Sequence, residues 1–159
     1  MNTRNIEILL ARAVDLARTS VAAGGGPFGA VIADADGNIV AEGHNQVTSH
    51  CDPTAHAEVS AIRAACASHG DHRLTGLILY SSCEPCPMCL AASWWARLDA
   101  VWYASGRNAA AAAGFDDAAL WHAVSTGDTS AQLALQQFDV PDAGREFSDW
   151  LDMAARIPY

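Results

Sequence analysis

Apolar and polar residues follow a helical period at the start of the chain and a strand period soon after. Apolar side chains recur at three- and four-residue spacing through 4–22, which predicts an amphipathic helix. The segments "GAVIAD" and "NIVAEGHN" flank "ADGN", a pattern typical of a β-hairpin with a tight turn. A second helix is predicted to run to about residue 68, with Asp52 as its cap and Pro53 in its first turn.

The rest of the chain continues the alternation of strands and helices. "LTGLILYSS" predicts a buried strand, "PMCLAASWWARL" a helix and "AVWYAS" another strand. The pattern then weakens; "LALQQFDV" is a candidate last strand and "GREFSDWLDMAARI" a candidate last helix. At least two strand–helix–strand units are long enough for parallel crossovers, whereas the hairpin is antiparallel. We therefore predict one α/β domain over residues 1–159, with a mixed central sheet in a three-layer α/β/α arrangement.

Composition and the absence of a signal-peptide pattern favour a cytoplasmic location. The 159 residues are 51% hydrophobic with a mean hydropathy of +0.08, which is enough to bury a sizeable core. No apolar run reaches the length of a membrane span, and the first residues carry charges without a signal-peptide pattern. We expect a cytoplasmic protein that does not bind a membrane.

The charge balance narrows the classes of function. The net charge is −9, all nine basic residues are arginine, and there is no lysine. A Schiff-base or P-loop lysine mechanism is therefore excluded. Nucleic acid is not an expected partner either, because neutralising phosphates requires a basic surface.

Three of the five cysteines lie within seven residues, in "CEPCPMC" (83–89). Because the chain shows no export signal, metal binding or redox chemistry is more probable there than a disulfide. Pro85 and Pro87 require a helix to begin near them. Cys86 and Cys89 then lie in its first turn on one face, where two thiolates can bind one metal.

His56 and Glu58 are titratable residues in the alanine-rich start of the preceding helix. Alone, His56 is more typical of a hydrogen-bonded core residue than of a metal ligand. Together with Cys86 and Cys89 it completes three ligands, the number that catalytic zinc sites use. A closed structural site with Cys83 or Cys51 as fourth ligand is the alternative, but a buried Glu58 is costly unless it works beside a zinc-bound water.

These two segments carry a family resemblance. "HAEVSAIRAA" with "CEPCPMC" is similar to the H-x-E…P-C-x-x-C signature of zinc-dependent nucleobase and nucleoside deaminases. "GGPFGAVIAD", "EGHNQV", "DPTAHAE", "WWAR" and "AGFDD" extend the resemblance over nearly the whole chain, toward the bacterial guanine deaminases of the cytidine-deaminase fold. "RNAAAA" (107–112) departs from that family's charge pattern, which leaves its effect on the pocket open.

The resemblance implies a reaction and a set of roles. His56, Cys86 and Cys89 hold one zinc ion per chain, and Cys83 is not a ligand. Glu58 takes a proton from the water that attacks C2 of guanine, then protonates the ring and the leaving amine, giving xanthine.

Substrate-binding residues are predicted less directly. Asn45 follows the second strand, where its amide can pair with a purine edge, although a turn residue is an equal interpretation. Phe28 and Trp95 can sandwich the base or belong to the core. Asp116 and Asp117, the two acids of "GFDD", can cap the helix that follows; the resemblance assigns the second, Asp117, to purine binding.

The C-terminal "FSDWLDMAARIPY" predicts an amphipathic helix, since Phe147, Trp150, Leu151 and Ala154 fall at helical spacing. A frayed tail after it is one interpretation. The resemblance instead implies a homodimer in which this segment crosses to the neighbour and Tyr159 helps to close its pocket.

Other functions stay open at this point. A tRNA adenosine deaminase shares both metal motifs but needs a basic face. Guanosine, cytosine or an aminotriazine can also be the substrate, because the pocket lining rather than the zinc core sets that choice. A non-enzymatic, zinc-stabilised interaction module would need four protein ligands and no Glu58.

Overall fold

The central sheet forms from the predicted hairpin and two further predicted strands, and apolar side chains of its two inner strands fill the core. The computed structural model describes residues 2–115, 117–130 and 132–158, which contain four paired strands. They are β1 (Gly29–Asp34), β2 (Ile39–His44), β3 (Leu77–Cys83) and β4 (Ala100–Ser105), in the order β2-β1-β3-β4. β1 is antiparallel to both neighbours and β3 is parallel to β4, so the mixed sheet is confirmed.

The described residues form seven helices: α1 (Thr3–Ala22), α2 (Val47–His50), α3 (Ala57–His69), α4 (Pro87–Trp95), α5 (Arg107–Ala112), α6 (Ala118–Thr126) and α7 (Arg145–Asp152). Of these, α1 and α3 pack on opposite faces of the sheet. Successive side chains of β1 and β3 point to opposite faces of the sheet and form a separate hydrophobic core on each face. Val31 and Tyr80 pack with α1, whereas Ile32 and Leu79 pack with α3 on the opposite face. This is the predicted three-layer α/β/α arrangement.

Glycine allows α3 to lie directly on the edge of the sheet. A Cβ on Gly43 of β2 would stand 2.3 Å from the Ala57 carbonyl oxygen and 2.6 Å from the Ala61 nitrogen. These distances are shorter than real Cβ contacts, so only glycine permits this approach. The position of the first turn of α3 therefore depends on Gly43.

The predicted start of α3 was wrong. Asp52 does not cap the helix; its Oδ1 accepts hydrogen bonds from the backbone N–H and the hydroxyl of Thr54, at 2.8 and 2.6 Å. This local turn competes with the cap, as is usual for aspartate before proline and threonine. The helix begins at Ala57 instead, and His56 is its N-cap.

The chain divides into two compact units, Met1–Trp121 and His122–Tyr159. In the second unit the predicted last strand is wrong, because residues 133–140 form no strand, and a strand needs a partner in its own sheet. The last helix, α7, is shorter than predicted and excludes Ala154. The single-domain prediction, with its exchanged C-terminal segment, stays a prediction.

Large apolar side chains of the second unit are exposed. Phe138 is 85% exposed, and Phe147 and Leu151 of α7 are mostly exposed as well. None of the described residues from 122 onward is buried.

Across the described residues, no helix is both long enough and apolar enough to cross a membrane.

Candidate active site

Two helix N-termini place the candidate metal ligands. His56 is the N-cap of α3 and Cys86 is the N-cap of α4, where Pro87 occupies the first turn. Both have extended backbone, and neither side chain accepts a capping hydrogen bond. Because an N-cap side chain projects beyond the helix end, both remain available for another partner. The positive ends of two helix dipoles also favour thiolate at this point.

The ligand atoms lie at distances that suit tetrahedral zinc. His56 Nδ1 is 3.6 Å from Cys86 Sγ and 3.5 Å from Cys89 Sγ. All three ligand atoms lie within 4.8 Å of one another. Zinc with bonds of about 2.0–2.1 Å to nitrogen and about 2.3 Å to sulfur holds such ligands about 3.6 Å apart in a tetrahedron. The cluster therefore fits zinc and leaves a fourth position open.

The candidate fourth protein ligands lie outside this cluster. Cys83 is buried, and its Sγ contacts the Gly106 carbonyl oxygen at 4.0 Å. Cys51 is exposed, and its Sγ contacts the Thr48 carbonyl oxygen at 3.9 Å. Among the described residues, the metal-compatible group consists of His56, Cys86 and Cys89 alone. The alternative of a closed site with Cys83 or Cys51 has no support in this geometry.

The two cysteines of the cluster differ in their tendency to ionise. Hydrogen bonds from Cys89 and His56 lower the pKa of the Cys86 thiol to about 4, against partial burial. The pKa of Cys89 is raised, because its proton is shared with Cys86 and its side chain is buried beside Glu58. The pKa of His56 is raised through its contact with Cys86. One negative charge is thus already stabilised on the sulfur pair before a metal adds its own charge.

Glu58 is a buried carboxylate beside this cluster. It is only 5% exposed, and burial raises the pKa of its carboxyl group. Oε1 accepts a hydrogen bond from the Ser81 hydroxyl at 3.1 Å, while Cys89 Sγ lies 3.4 Å from Oε2. Ser81 thus anchors one oxygen and leaves the other facing the metal ligands.

Sequence reasoning missed Ser81. The strand period offers a signal, because Ser81 continues the face of β3 on which Leu79 packs against α3. Ser81 is only 1% exposed. A hydroxyl group buried at the end of an apolar row needs a hydrogen-bond partner, and the facing helix α3 can supply one.

A cavity of about 580 Å³ opens in front of the cluster, within the size range of small-molecule sites. It brings together five predicted site residues besides Cys86: Phe28, Asn45, His56, Glu58 and Asp117. The remaining lining residues are Gly24, Gly25, Gly26, Val47, Thr48, Cys83, Glu84, Arg107, Ala110, Gly114 and Phe115.

The Asn45 amide is held in one orientation. Its Oδ1 accepts from the Val47 backbone N–H at 3.3 Å, and the backbone N–H of Asn45 donates to the Phe28 carbonyl at 3.0 Å. A Cβ on Gly26 would stand 3.0 Å from the amide carbon, so a larger residue there would displace the side chain. This arrangement aims the Asn45 NH₂ group as a donor for a ligand in the cavity.

Of the two aromatic residues predicted to contact the base, Phe28 lies at the cavity and Trp95 does not. Phe28 lines the cavity and packs edge-on against Phe115, with ring centroids 5.0 Å apart. Trp95 does not line the cavity; it lies at the end of α4, is 55% exposed and has the Arg97 guanidinium 5.8 Å from its ring centre. A contact of Phe28 with the base fits this geometry, whereas the role predicted for Trp95 stays a prediction.

The acidic and terminal predictions have different outcomes. Asp117 lines the cavity, and its carbonyl oxygen accepts from the Trp121 N–H in the first turn of α6. Asp116 and Tyr159 lie outside the described residues. Arg107 and Glu84 were not predicted to line the cavity, although "RNAAAA" stood out as a departure from the family pattern.

Comparison with known proteins assigns the family. The profile of the cytidine and deoxycytidylate deaminase zinc-binding region matches residues 3–105. This chain belongs to that deaminase family.

Individual relatives agree with the family assignment. The chain is 48% identical to guanine deaminase from Bacillus subtilis over 98% of this chain and 99% of that protein. The crystal structure of that enzyme superposes with a TM-score of 0.92, covering 100% of this deaminase and 99% of the other chain. The tRNA-specific adenosine deaminase of Haemophilus influenzae is 35% identical over 80% of this chain and 76% of its own. A chain solved in complex with 8-azaguanine is 34% identical, covers 70% of this chain and 65% of its own, and has a TM-score of 0.68.

Zinc content tests the three-ligand cluster. Cys86→Ser keeps a good helix cap but exchanges a thiolate for a weak ligand, so purified protein should contain well below one zinc per chain. Cys83→Ser is the matched control and should retain about one zinc per chain. Elemental analysis of both folded variants decides the matter; equal zinc loss in the two variants would show that Cys83 is a ligand.

Proposed function

We propose that this chain is a zinc-dependent hydrolase that converts guanine and water to xanthine and ammonia. The observation that carries the proposal is the buried Glu58 carboxylate, which faces a three-ligand metal cluster at the wall of a cavity large enough for a purine. The similarity to the Bacillus subtilis guanine deaminase supports guanine as the base.

His56, Cys86 and Cys89 would hold the zinc ion, one per chain. When bound, zinc activates water and stabilises negative charge that develops during attack on the ring. Three protein ligands leave room for water in the fourth position, as catalytic sites require.

Glu58 moves protons during the reaction. Oε2 faces the ligands and accepts a proton from the attacking water as the new C2–O bond forms. Glu58 passes this proton to the ring nitrogen, then takes the second proton from the hydroxyl group now on C2 and gives it to the amine, whose C–N bond breaks to release ammonia. Ser81 keeps Oε1 in place, so that the carboxylate does not have to reorient between the two transfers. The raised pKa of Glu58 suits a group that both accepts and donates a proton.

Asn45, Asp117 and Phe28 recognise the base. The Asn45 NH₂ group donates to an acceptor on the purine edge, since Val47 already engages its oxygen. Asp117 accepts from the ring N–H and amino groups, a combination that guanine offers and adenine does not. Phe28 contributes an apolar contact to the ring, and its packing against Phe115 fixes its position.

The active form is a homodimer in which the C-terminal segment of one copy closes the cavity of the other, with Tyr159 over the base. Support comes from α7, whose Phe147 and Leu151 are exposed in one chain, and from the exposed Phe138. Such side chains require a covering surface, and a second copy supplies it at a fixed stoichiometry. The enzyme acts in purine metabolism, and the cytoplasm stays its predicted location.

An ammonia-release screen tests the substrate. We expect the purified zinc protein to deaminate guanine and to leave adenine and cytosine essentially unchanged. Guanosine, cytidine, an aminotriazine and a tRNA anticodon stem complete the panel. Faster release from any of these than from guanine would contradict the proposal.

Asp117 supplies the specificity control for that screen. Asp117→Asn keeps the size of the side chain but replaces an acceptor with a donor, leaving buried N–H groups of guanine unpaired. We expect kcat/KM for guanine to fall about 10-fold or more. An unchanged kcat/KM would remove Asp117 from the recognition of the base.

Glu58→Gln tests proton transfer. The amide preserves the shape and the hydrogen bond to Ser81 but cannot accept a proton from water, so activity should fall by about 10²–10⁴-fold. Zinc content and thermal stability should remain at wild-type values. Normal turnover in this variant would exclude the role assigned to Glu58.

Deleting residues 157–159 tests the exchanged lid. Loss of Tyr159 should admit water over the base and lower kcat/KM at least about 10-fold, with zinc content and folding intact. Light scattering should report a dimer for the full chain. Full activity in the truncated protein, or an active monomer, would rule out the lid.

A further inference from the structure

One acidic side chain joins the metal-ligand loop to helix α5. Glu84 lies two residues before Cys86, and its own N–H donates to the Ser105 carbonyl at the end of β4, at 2.8 Å. Its carboxylate accepts the Arg107 backbone N–H at 3.1 Å and Arg107 Nε at 3.0 Å. Arg107 Nη2 donates to the same oxygen as Nε. The first residue of α5 is thus bound by both its backbone and its side chain.

The same guanidinium reaches the next helix. The Arg107 Cζ lies 4.4 Å from the centre of the Trp121 ring in α6, within the range of a cation–π contact. Arginine suits this double role because its planar group donates from its edge while its face stacks on an aromatic ring. Hydrogen bonds from Arg107 lower the pKa of Glu84, so both partners stay charged at neutral pH.

Arg107 therefore ties together the two ends of segment 107–121. Between these ends the segment carries Phe115, which packs on Phe28, and Asp117, which lines the cavity. Trp121 lies one helical turn after Asp117, and its backbone N–H donates to the Asp117 carbonyl at 2.9 Å. Fixing Trp121 thus limits where Asp117 can lie.

We propose that Arg107 is a positioning residue for purine binding: together with Glu84 and Trp121 it forms a clamp that holds Phe115 and Asp117, which line one wall of the cavity, near the metal-ligand loop. The proposal rests on the deamination of guanine proposed above. Because the clamp positions the wall that contacts the base, and Glu58 lies on α3, its loss acts on binding of the base more than on proton transfer.

The chain contains a matched ion pair away from the cavity. Arg12 of α1 donates through Nε and Nη2 to the two carboxylate oxygens of Glu42 in β2, at 2.7 and 2.8 Å. Its side chain is about as exposed as that of Arg107, at 46% against 43%. Arg12→Met therefore removes a comparable pair without touching the cavity wall.

The experiment compares Arg107→Met, Arg107→Lys and Arg12→Met with the wild type, all loaded with zinc. For Arg107→Met we expect KM for guanine and Kd for 8-azaguanine to rise about 10-fold, with kcat changed less than about 3-fold. Arg107→Lys keeps the charge but not the stacked fork, so it should recover part of this loss. Arg12→Met should leave KM and Kd unchanged, and zinc content should be equal in all four proteins.

Three results would overturn the clamp. Unchanged KM and Kd in Arg107→Met would show that the wall needs no such support. A fall in kcat without a change in KM would place Arg107 in the chemistry rather than in positioning. Equal changes of KM and Kd in Arg12→Met and Arg107→Met would show that loss of stability, rather than loss of the clamp, weakens binding. If the wild type itself fails to deaminate guanine, the proposed function fails instead; a wild type that binds 8-azaguanine still allows the Kd comparison.

Discussion

The convergence of two helix N-termini is the constraint on which the rest of this structure depends. Helix α3 must begin at Ala57 and α4 at Pro87 for the N-cap side chains of His56 and Cys86 to lie 3.6 Å apart. The sheet brings the two helix ends together. β3 ends at Cys83, directly before the loop that carries Cys86, and Gly43 lets α3 lie against β2. Neither side chain is used as a cap, so both are available for a metal. Two helix dipoles then favour the negative charge of the thiolates.

The second feature of the site is a carboxylate that folding alone would not favour. Burial of Glu58 costs free energy that the hydrogen bonds from Ser81 and Cys89 offset only in part. Buried titratable groups of this kind cluster at functional sites, and the position of Glu58 beside the metal ligands suits it to proton transfer. The deaminase family assignment and the proposed reaction both agree with this arrangement.

Much of this architecture was predictable because local patterns agree with the fold. The alternation of apolar residues in β1 and β3 predicted the sheet, and the P-C-x-x-C spacing predicted the sulfur ligands. The start of α3 was not predictable, since Asp52 binds Thr54 in a local turn that competes with capping. Ser81, Gly26 and Arg107 act through contacts with residues far away in the sequence, which no local pattern reports. The exposure of Trp95 likewise depends on packing beyond its own helix.

X-ray absorption at the zinc edge tests the central claim of three protein ligands at two helix N-termini most directly. The account predicts two sulfur ligands at about 2.3 Å and two nitrogen or oxygen ligands at about 2.0–2.1 Å, one from His56 and one from solvent. Binding of 8-azaguanine should leave both sulfur ligands in place. A first shell with three sulfurs would contradict the account, because Cys83 or Cys51 would then close the site and leave Glu58 without its task.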